Sequence, residues 1–230
     1  MLWSKVIGAG AKKAPLPEFV GSTSLQPNNE DNFNSGAEGL DIRNVGQPGD
    51  LAVVMFSFSD RPSTVGNNWK FRNIRGDEFI TVLDDTSRDT LGVYIGYRFI
   101  TSSDNNRPYY ISLSDGEFYG LNAVASVFSN VSSFDGAAYQ YSNNNNPNPP
   151  LLSTNSSLWV AMGASNKFNA GSGLTAPTGY SNLVHEYGLF GGDYASGAIA
   201  SKIENLSSEN PGTFTFSNND KSFGATLGFS

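Results

Sequence analysis

The chain has 230 residues, enough for one large β domain or two small ones. It contains no cysteine, which excludes disulfides and thiolate metal sites, and its one histidine leaves little for acid–base chemistry. A net charge of −7 supplies no basic face to offset phosphate charge, so a nucleic-acid partner is not expected. Charged residues make up only 15%, so solubility must come from Asn, Ser, Thr and Gly, while sixteen Phe and ten Tyr can fill a β interior.

Residues 1–18 read as an extended arm. Gly8, Gly10, Pro15 and Pro17 oppose regular structure, and Lys12 and Lys13 are solvated. Lys5 interrupts the apolar start and no cleavage site follows, so export by the ordinary secretory route is not expected. The arm is expected to lie on a neighbouring subunit, with Trp3, Val6 and Ile7 as its buried contacts.

Residues 19–230 are expected to form one β-sandwich domain. Residues 19–25 make the first strand and residues 27–39 a polar loop. Pro48-Gly49-Asp50 turns the chain into Leu51–Ser59, apolar on both faces at first, as a strand in the centre of a sheet should be. Strands follow at 69–74 and 79–83. In the next, residues 91–100, Val93, Ile95, Tyr97 and Phe99 share one face and Tyr94 and Arg98 the other. Asp104-Asn105-Asn106 turns into a strand at 109–113, and 123–129 and 157–164 come next. The intervening NNNNPNPP at 143–150 offers nothing to a core and is expected to be an exposed loop. Strands at 183–190 and 195–203 precede a terminal hairpin of 213–217 and 222–229, with Phe223, Ala225, Leu227 and Phe229 facing inward. No segment shows helical apolar spacing over three turns, none is long and apolar enough to cross a membrane, and no period of about 20–50 residues marks a solenoid or propeller. The expected fold is all-β, an antiparallel two-sheet sandwich, jelly-roll-like. Its core should include Val53, Phe56, Val93, Ile95, Tyr97, Trp159, Phe214, Phe216, Leu227 and Phe229.

Candidate chemistry is sparse. His185-Glu186 is the only place for a histidine base, and no G-x-S-x-G elbow presents a nucleophile. Asp84, Asp85 and Asp89, like Glu30 and Asp31 beside Asn28-Asn29, are oxygen-rich and could attract calcium, but they are also ordinary turn residues. Arg75-Gly76-Asp77 is a tripeptide of integrin ligands and a normal turn. Asn130, Asn155 and Asn205 open glycosylation triplets that arise readily in a chain this rich in Asn and Ser. Trp69, Tyr109, Tyr110, Tyr139 and Tyr141 could stack on sugar rings, and Tyr139 and Tyr141 rank first because they border the Asn/Pro segment. No cofactor and no metal are called for.

The order of short motifs carries a resemblance. Phe19-Val-Gly-Ser-Thr-Ser24 is followed by Pro48-Gly-Asp-Leu-Ala-Val-Val54, then Trp69, Gly92-Val-Tyr-Ile-Gly-Tyr97 and Ala123-Val-Ala-Ser-Val-Phe128. Over most of residues 19–229 this resembles small β-sandwich virion structural proteins of tailed bacteriophages of aquatic bacteria. The motifs are scaffold strands and turns and identify no active site. The resemblance implies a multi-copy, non-enzymatic virion component, a capsid decoration or knob or a tail-associated subunit, whose partners are other virion proteins. The alternative is a carbohydrate- or host-receptor-binding module of the virion. A glycosidase ranks third, because no spacing selects the pair of carboxylates it would need.

Overall fold

A computed structural model of the chain describes residues 14–25, 40–42, 44–59, 70–73, 78–85, 90–102, 104, 109–112, 119–143, 146–166, 174–190, 193–216 and 221–230. The fold is an antiparallel two-sheet sandwich. Its strands are β1 (Glu18–Leu25), β2 (Leu51–Ser59), β3 (Lys70–Asn73), β4 (Ile80–Asp85), β5 (Gly92–Phe99), β6 (Tyr109–Ser112), β7 (Tyr119–Ser129), β8 (Phe134–Asn143), β9 (Ser156–Ser165), β10 (Ser181–Phe190), β11 (Asp193–Leu206) and β12 (Lys221–Phe229). The first sheet runs β1-β7-β2-β5-β4 and the second β10-β11-β9-β12-β8; β3 and β6 form a separate pair.

The chain completes the first sheet before starting the second, and the two have the same plan. In each, the first strand of the set lies on an edge, the last lies beside it, and the second is central, followed by the fourth and the third. Residues repeat with the plan. The central strands carry Leu51-x-Val53-x-Met55 and Leu158-x-Val160-x-Met162, all facing the space between the sheets. Leu51 pairs with Phe128 and Leu158 with Phe229, and each Phe is followed by Ser. Those Phe residues pair in turn with Phe19 and Phe134, each opening a Phe-x-Gly. The register slips at that same place in both copies, between Phe19 and Gly21 and opposite Phe134 and Gly136. A bulge re-aims a strand at a fixed point, so its recurrence beside the same side chains marks a built feature. The sandwich is two copies of one five-strand unit.

Three apolar layers hold it together. The middle layer lies between the sheets and takes Leu51, Val53, Met55, Val93, Ile95, Leu158, Val160, Met162, Phe223, Leu227 and Phe229, with Tyr97 and Phe99 partly buried against it. The outer face of the first sheet buries Val54, Phe56, Phe58 and Tyr94 beneath Leu40, Ile42 and Phe79. The outer face of the second sheet buries Trp159, Ala161, Ala198 and Ala200 beneath Tyr180, Phe214 and Phe216. With both faces of both sheets covered, β2 is buried at all nine positions, and its unbroken apolar run follows from that. Every expected core residue is buried except Tyr97, which is partly so.

The sheets come closest where small residues meet. A Cβ on Gly197 of β11 would stand 2.7 Å from the Asn122 Oδ1 of β7. There the Ser57 hydroxyl donates to the Ser196 carbonyl of the other sheet at 3.2 Å, and the Asn122 amide donates to Ser57. Toward β4 and β8 the gap is filled by rings. Tyr97 stacks on Phe134 at 5.0 Å and meets Phe229 edge-on at 5.8 Å.

Two expectations are corrected. The hairpin expected of 213–217 and 222–229 does not form, since the partners of β12 are β8 and β9. The described residues 213–216 form an extended strap across the outer face of the second sheet, bridged to Thr175 through Thr215, with Phe214 and Phe216 pressed inward. The Asn/Pro segment is not an exposed loop at one end. Among its described residues Pro147 and Pro149 are buried, and Asn148 is exposed. The segment crosses the same outer face: Thr226 donates to the Pro150 carbonyl, Gln140 to the Asn148 carbonyl, and the Phe214 amide to the Pro147 carbonyl. Gly224 makes room for it, since a Cβ there would lie 2.6 Å from the Asn148–Pro149 backbone.

Candidate functional site

Trp3, Val6 and Ile7, with Lys5, Lys12 and Lys13, lie outside the described residues, as do Trp69, Arg75-Gly76-Asp77, Asp89 and Glu30-Asp31. The described chain enters at Ala14, and the Asn130 amide holds the Leu16 carbonyl beside the foot of β7.

Tyr139 and Tyr141 sit on β8, a strand not expected from the sequence. Both face the inter-sheet side of an edge strand, where they meet Phe223 of β12. The Tyr141 ring meets it edge-on at 4.9 Å and is partly buried against the middle layer. Tyr139 lies over it at 6.3 Å with planes 27° apart, and is 52% exposed. One face of Tyr139 is thus supported and the other open, the arrangement of a stacking platform. On the opposing edge, Ile80 of β4, paired with Tyr97, is exposed on the same inter-sheet side. The β4 and β8 edges therefore flank an aromatic mouth of the sandwich.

The other candidates separate. His185 and Glu186 point to opposite faces of β10, because His185 pairs with Ala198 of the outer layer and Val184 with Ile199 of the middle one. His185 is exposed, while Glu186 accepts a hydrogen bond from Ser24 at 2.8 Å, tying the β10 edge to β1. Asp84 and Asp85 end β4; among the described residues no three His, Asp or Glu side chains gather as a metal set would. Tyr109 and Tyr110 lie in β6. Asn155 and Asn205 are exposed across a shallow depression that Ser157, Leu206, Ser207 and Ser230 also line. At its rim Asp135 accepts from Ser133, Ser156 and Ser230.

Two polar clusters had no signal in the sequence, because their members are brought together by turns. Asp104, only 1% exposed, takes a two-pronged ion pair from Arg98, Nε to Oδ2 at 3.2 Å and Nη2 to Oδ1 at 3.1 Å. The Thr101 amide and hydroxyl donate to the same Oδ2 at 2.6 and 2.9 Å, and Arg98 also donates to the Glu78 carbonyl. This arrangement ties the start of β4 and the turn after β5 together. On the second sheet Lys202 bridges Glu209 at 2.9 Å and Glu204 at 3.0 Å. Burial alone would lower the Lys202 ammonium, but hydrogen bonds to Glu209 and Glu204 outweigh it, and its pKa is raised. A cation clamped between two carboxylates anchors the strap that follows β11. Comparison of the chain with protein families, with curated proteins and with solved structures gave no match.

Two phenols report on the outer layers. Burial raises the pKa of Tyr180, assisted by the nearby Glu209. Burial also raises that of Tyr94, despite its hydrogen bond with Thr81, and Asp84 and Glu78 push the same way. The unfolded chain ionises these groups near 10.0, and the native chain holds them neutral beyond that. Their contribution to stability is therefore complete below that pH and is lost as pH rises above it. Alkaline titration of phenolate absorbance should show at least two late-ionising tyrosines, Tyr94 and Tyr180, that titrate normally in denaturant. Normal ionisation of all tyrosines in the native protein would show the outer layers to be open.

Proposed function

We propose that the chain is a non-enzymatic structural protein of a virus particle, a capsid decoration or knob or a tail-associated subunit. The observation that carries this reading is how the chain spends its buried groups. Straps cover the outer faces of both sheets, and the ion pairs of Asp104 and Glu209 hold straps and turns. Among the described residues, what is left to the surroundings is sheet edges and ends, which suits a protein that works by shape. The resemblance in strand motifs to tailed-phage structural proteins supports the same reading. In it the arm of residues 1–18 docks on neighbouring virion proteins through Trp3, Val6 and Ile7.

Electron microscopy of particles from cells expressing this chain tests it: the protein should appear in fixed copy number on capsid or tail. Deleting residues 1–18 should reduce incorporation. Absence of the chain from purified particles would sink the proposal. The supported, open ring of Tyr139 favours one second reading, binding of a host surface glycan. Saturable glycan binding lost in Tyr139→Ala would promote it. Release of new reducing ends, lost on replacing one Asp or Glu, would replace both readings with a hydrolase.

A further inference from the structure

An edge strand presents unpaired backbone donors and acceptors, and proteins blunt such edges with bulges, charges or short length. Three of the four sandwich edges are blunted. β1 breaks register between Phe19 and Gly21. β4 has six residues, breaks register between Thr81 and Leu83, and ends in Asp84-Asp85. β10 breaks register between Ser181 and Val184 and carries His185-Glu186. β8 carries the same bulge, at Phe134–Gly136 with Asp135 in it, but it differs in what lies beyond. Its register with β12 is unbroken from Gly136 to Asn143 with no charged residue, whereas β1 keeps only Gly21–Leu25 after its bulge. No described strand pairs with its other side.

We propose that β8 is a self-association edge, which pairs antiparallel with β8 of a second copy across a two-fold axis at Tyr139. The occupant follows from the strand's own sequence. With Tyr139 opposite its mate, Tyr141 falls opposite Ala137, Gln140 opposite Ala138 and Ser142 opposite Gly136, each pairing also occurring in reverse. On either side of the axis larger residues meet smaller ones, and at the axis Tyr139 meets its mate as an aromatic cross-strand pair. Tyr139 and Tyr141 lie on one face, so the tyrosine pair at the axis extends the ring layer over Phe223 from one copy to the next. An isologous contact of this kind is the commonest route to a dimer. The second five-stranded sheets of the two copies become one continuous sheet. This pairing is independent of the virion reading, since it needs only the strand.

Sedimentation equilibrium of the whole chain across the micromolar range, the regime of small interfaces, should show a monomer–dimer equilibrium. Tyr139→Lys and Tyr139→Glu each place like charges at the axis and should sediment as monomers. An equimolar mixture of the two should recover the dimer, because opposite charges then meet there. Tyr139 is half exposed, so native melting curves are expected for both. Ser142→Lys, farther along the same edge, is the second variant and should also weaken the dimer. A wild-type chain that stays monomeric throughout would overturn the proposal. So would a dimer indifferent to all three variants, a charge-swapped mixture that stays monomeric, or a dimer lost on removing residues 1–13 yet unaffected at Tyr139.

Discussion

Phe216→Ala is expected to destabilise the protein by about 3–5 kcal/mol, the cost of truncating a buried Phe. Phe216 is 4% exposed and packs edge-on against Phe214 at 6.3 Å, over the outer face of the second sheet. It lies in a strap, and a strap could in principle lift without unfolding the sheets. Three attachments argue against that here. The Thr175–Thr215 bridge joins it to a second covering segment, the Asn146 side chain accepts the Phe216 amide hydrogen at 3.0 Å, and the Pro147 carbonyl accepts that of Phe214. In a chain of this size each kcal/mol moves the melting temperature about 2–4 °C, so a drop of about 6–20 °C is expected. Calorimetry measures it. An unchanged melting point would mean that the strap opens separately and contributes nothing to the cooperative core.

Asp104→Ala is expected to cost about 3–5 kcal/mol, because it strips a buried charge pair of one member. The carboxylate receives four donors, two from Arg98 and two from Thr101. Removal leaves the Arg98 guanidinium, itself only 17% exposed, without that partner, and frees the turn that follows β5. Asp104→Asn keeps the shape and the hydrogen-bond acceptor but loses the charge, so it should fall between wild type and Ala. Denaturant titration separates the three, with the midpoint shifting and the slope unchanged. Equal midpoints for Asn and Ala would show that charge, not the turn's hydrogen bonds, carries the effect. A wild-type midpoint for Ala would show that the ion pair adds nothing.

How far the sequence could be read depended on which kind of information each element carries. β2, β5, β9 and β12 are legible because their apolar content exceeds what any loop would hold, and burial on both faces is what that content means. β8 was not legible. Its Gly136, Ala137 and Ala138 have weak strand preference, and its regularity comes from pairing with β12, at the far end of the chain, which no local pattern reports. The strap at 213–216 failed in the opposite way. Thr213, Phe214, Thr215 and Phe216 alternate, and the alternation was correct about which side is buried. Alternation specifies a buried side but not a hydrogen-bonded neighbour, so the same pattern serves a strap laid on a sheet. The Asn/Pro segment shows a further limit. Pro147 and Pro149 cannot extend a ladder, yet their rings cover apolar surface where no ladder is needed.

By itself the sequence determined an all-β chain, the central strands and the inward faces of β5 and β12, because those depend on local apolar content and a period of two. The tertiary structure decided everything that rests on partners distant in the chain. It set the assignment of strands to two sheets, the straps over both outer faces and the meeting of Arg98 with Asp104. It also revealed the repeat. Phe-x-Gly, Leu-x-Val-x-Met and Phe-Ser recur in order, but connections of unequal length separate them, so no fixed period exists to be found along the chain. Strand order and register bring the matching residues to equivalent places, because hydrogen-bonded pairing measures position across a sheet rather than along the sequence.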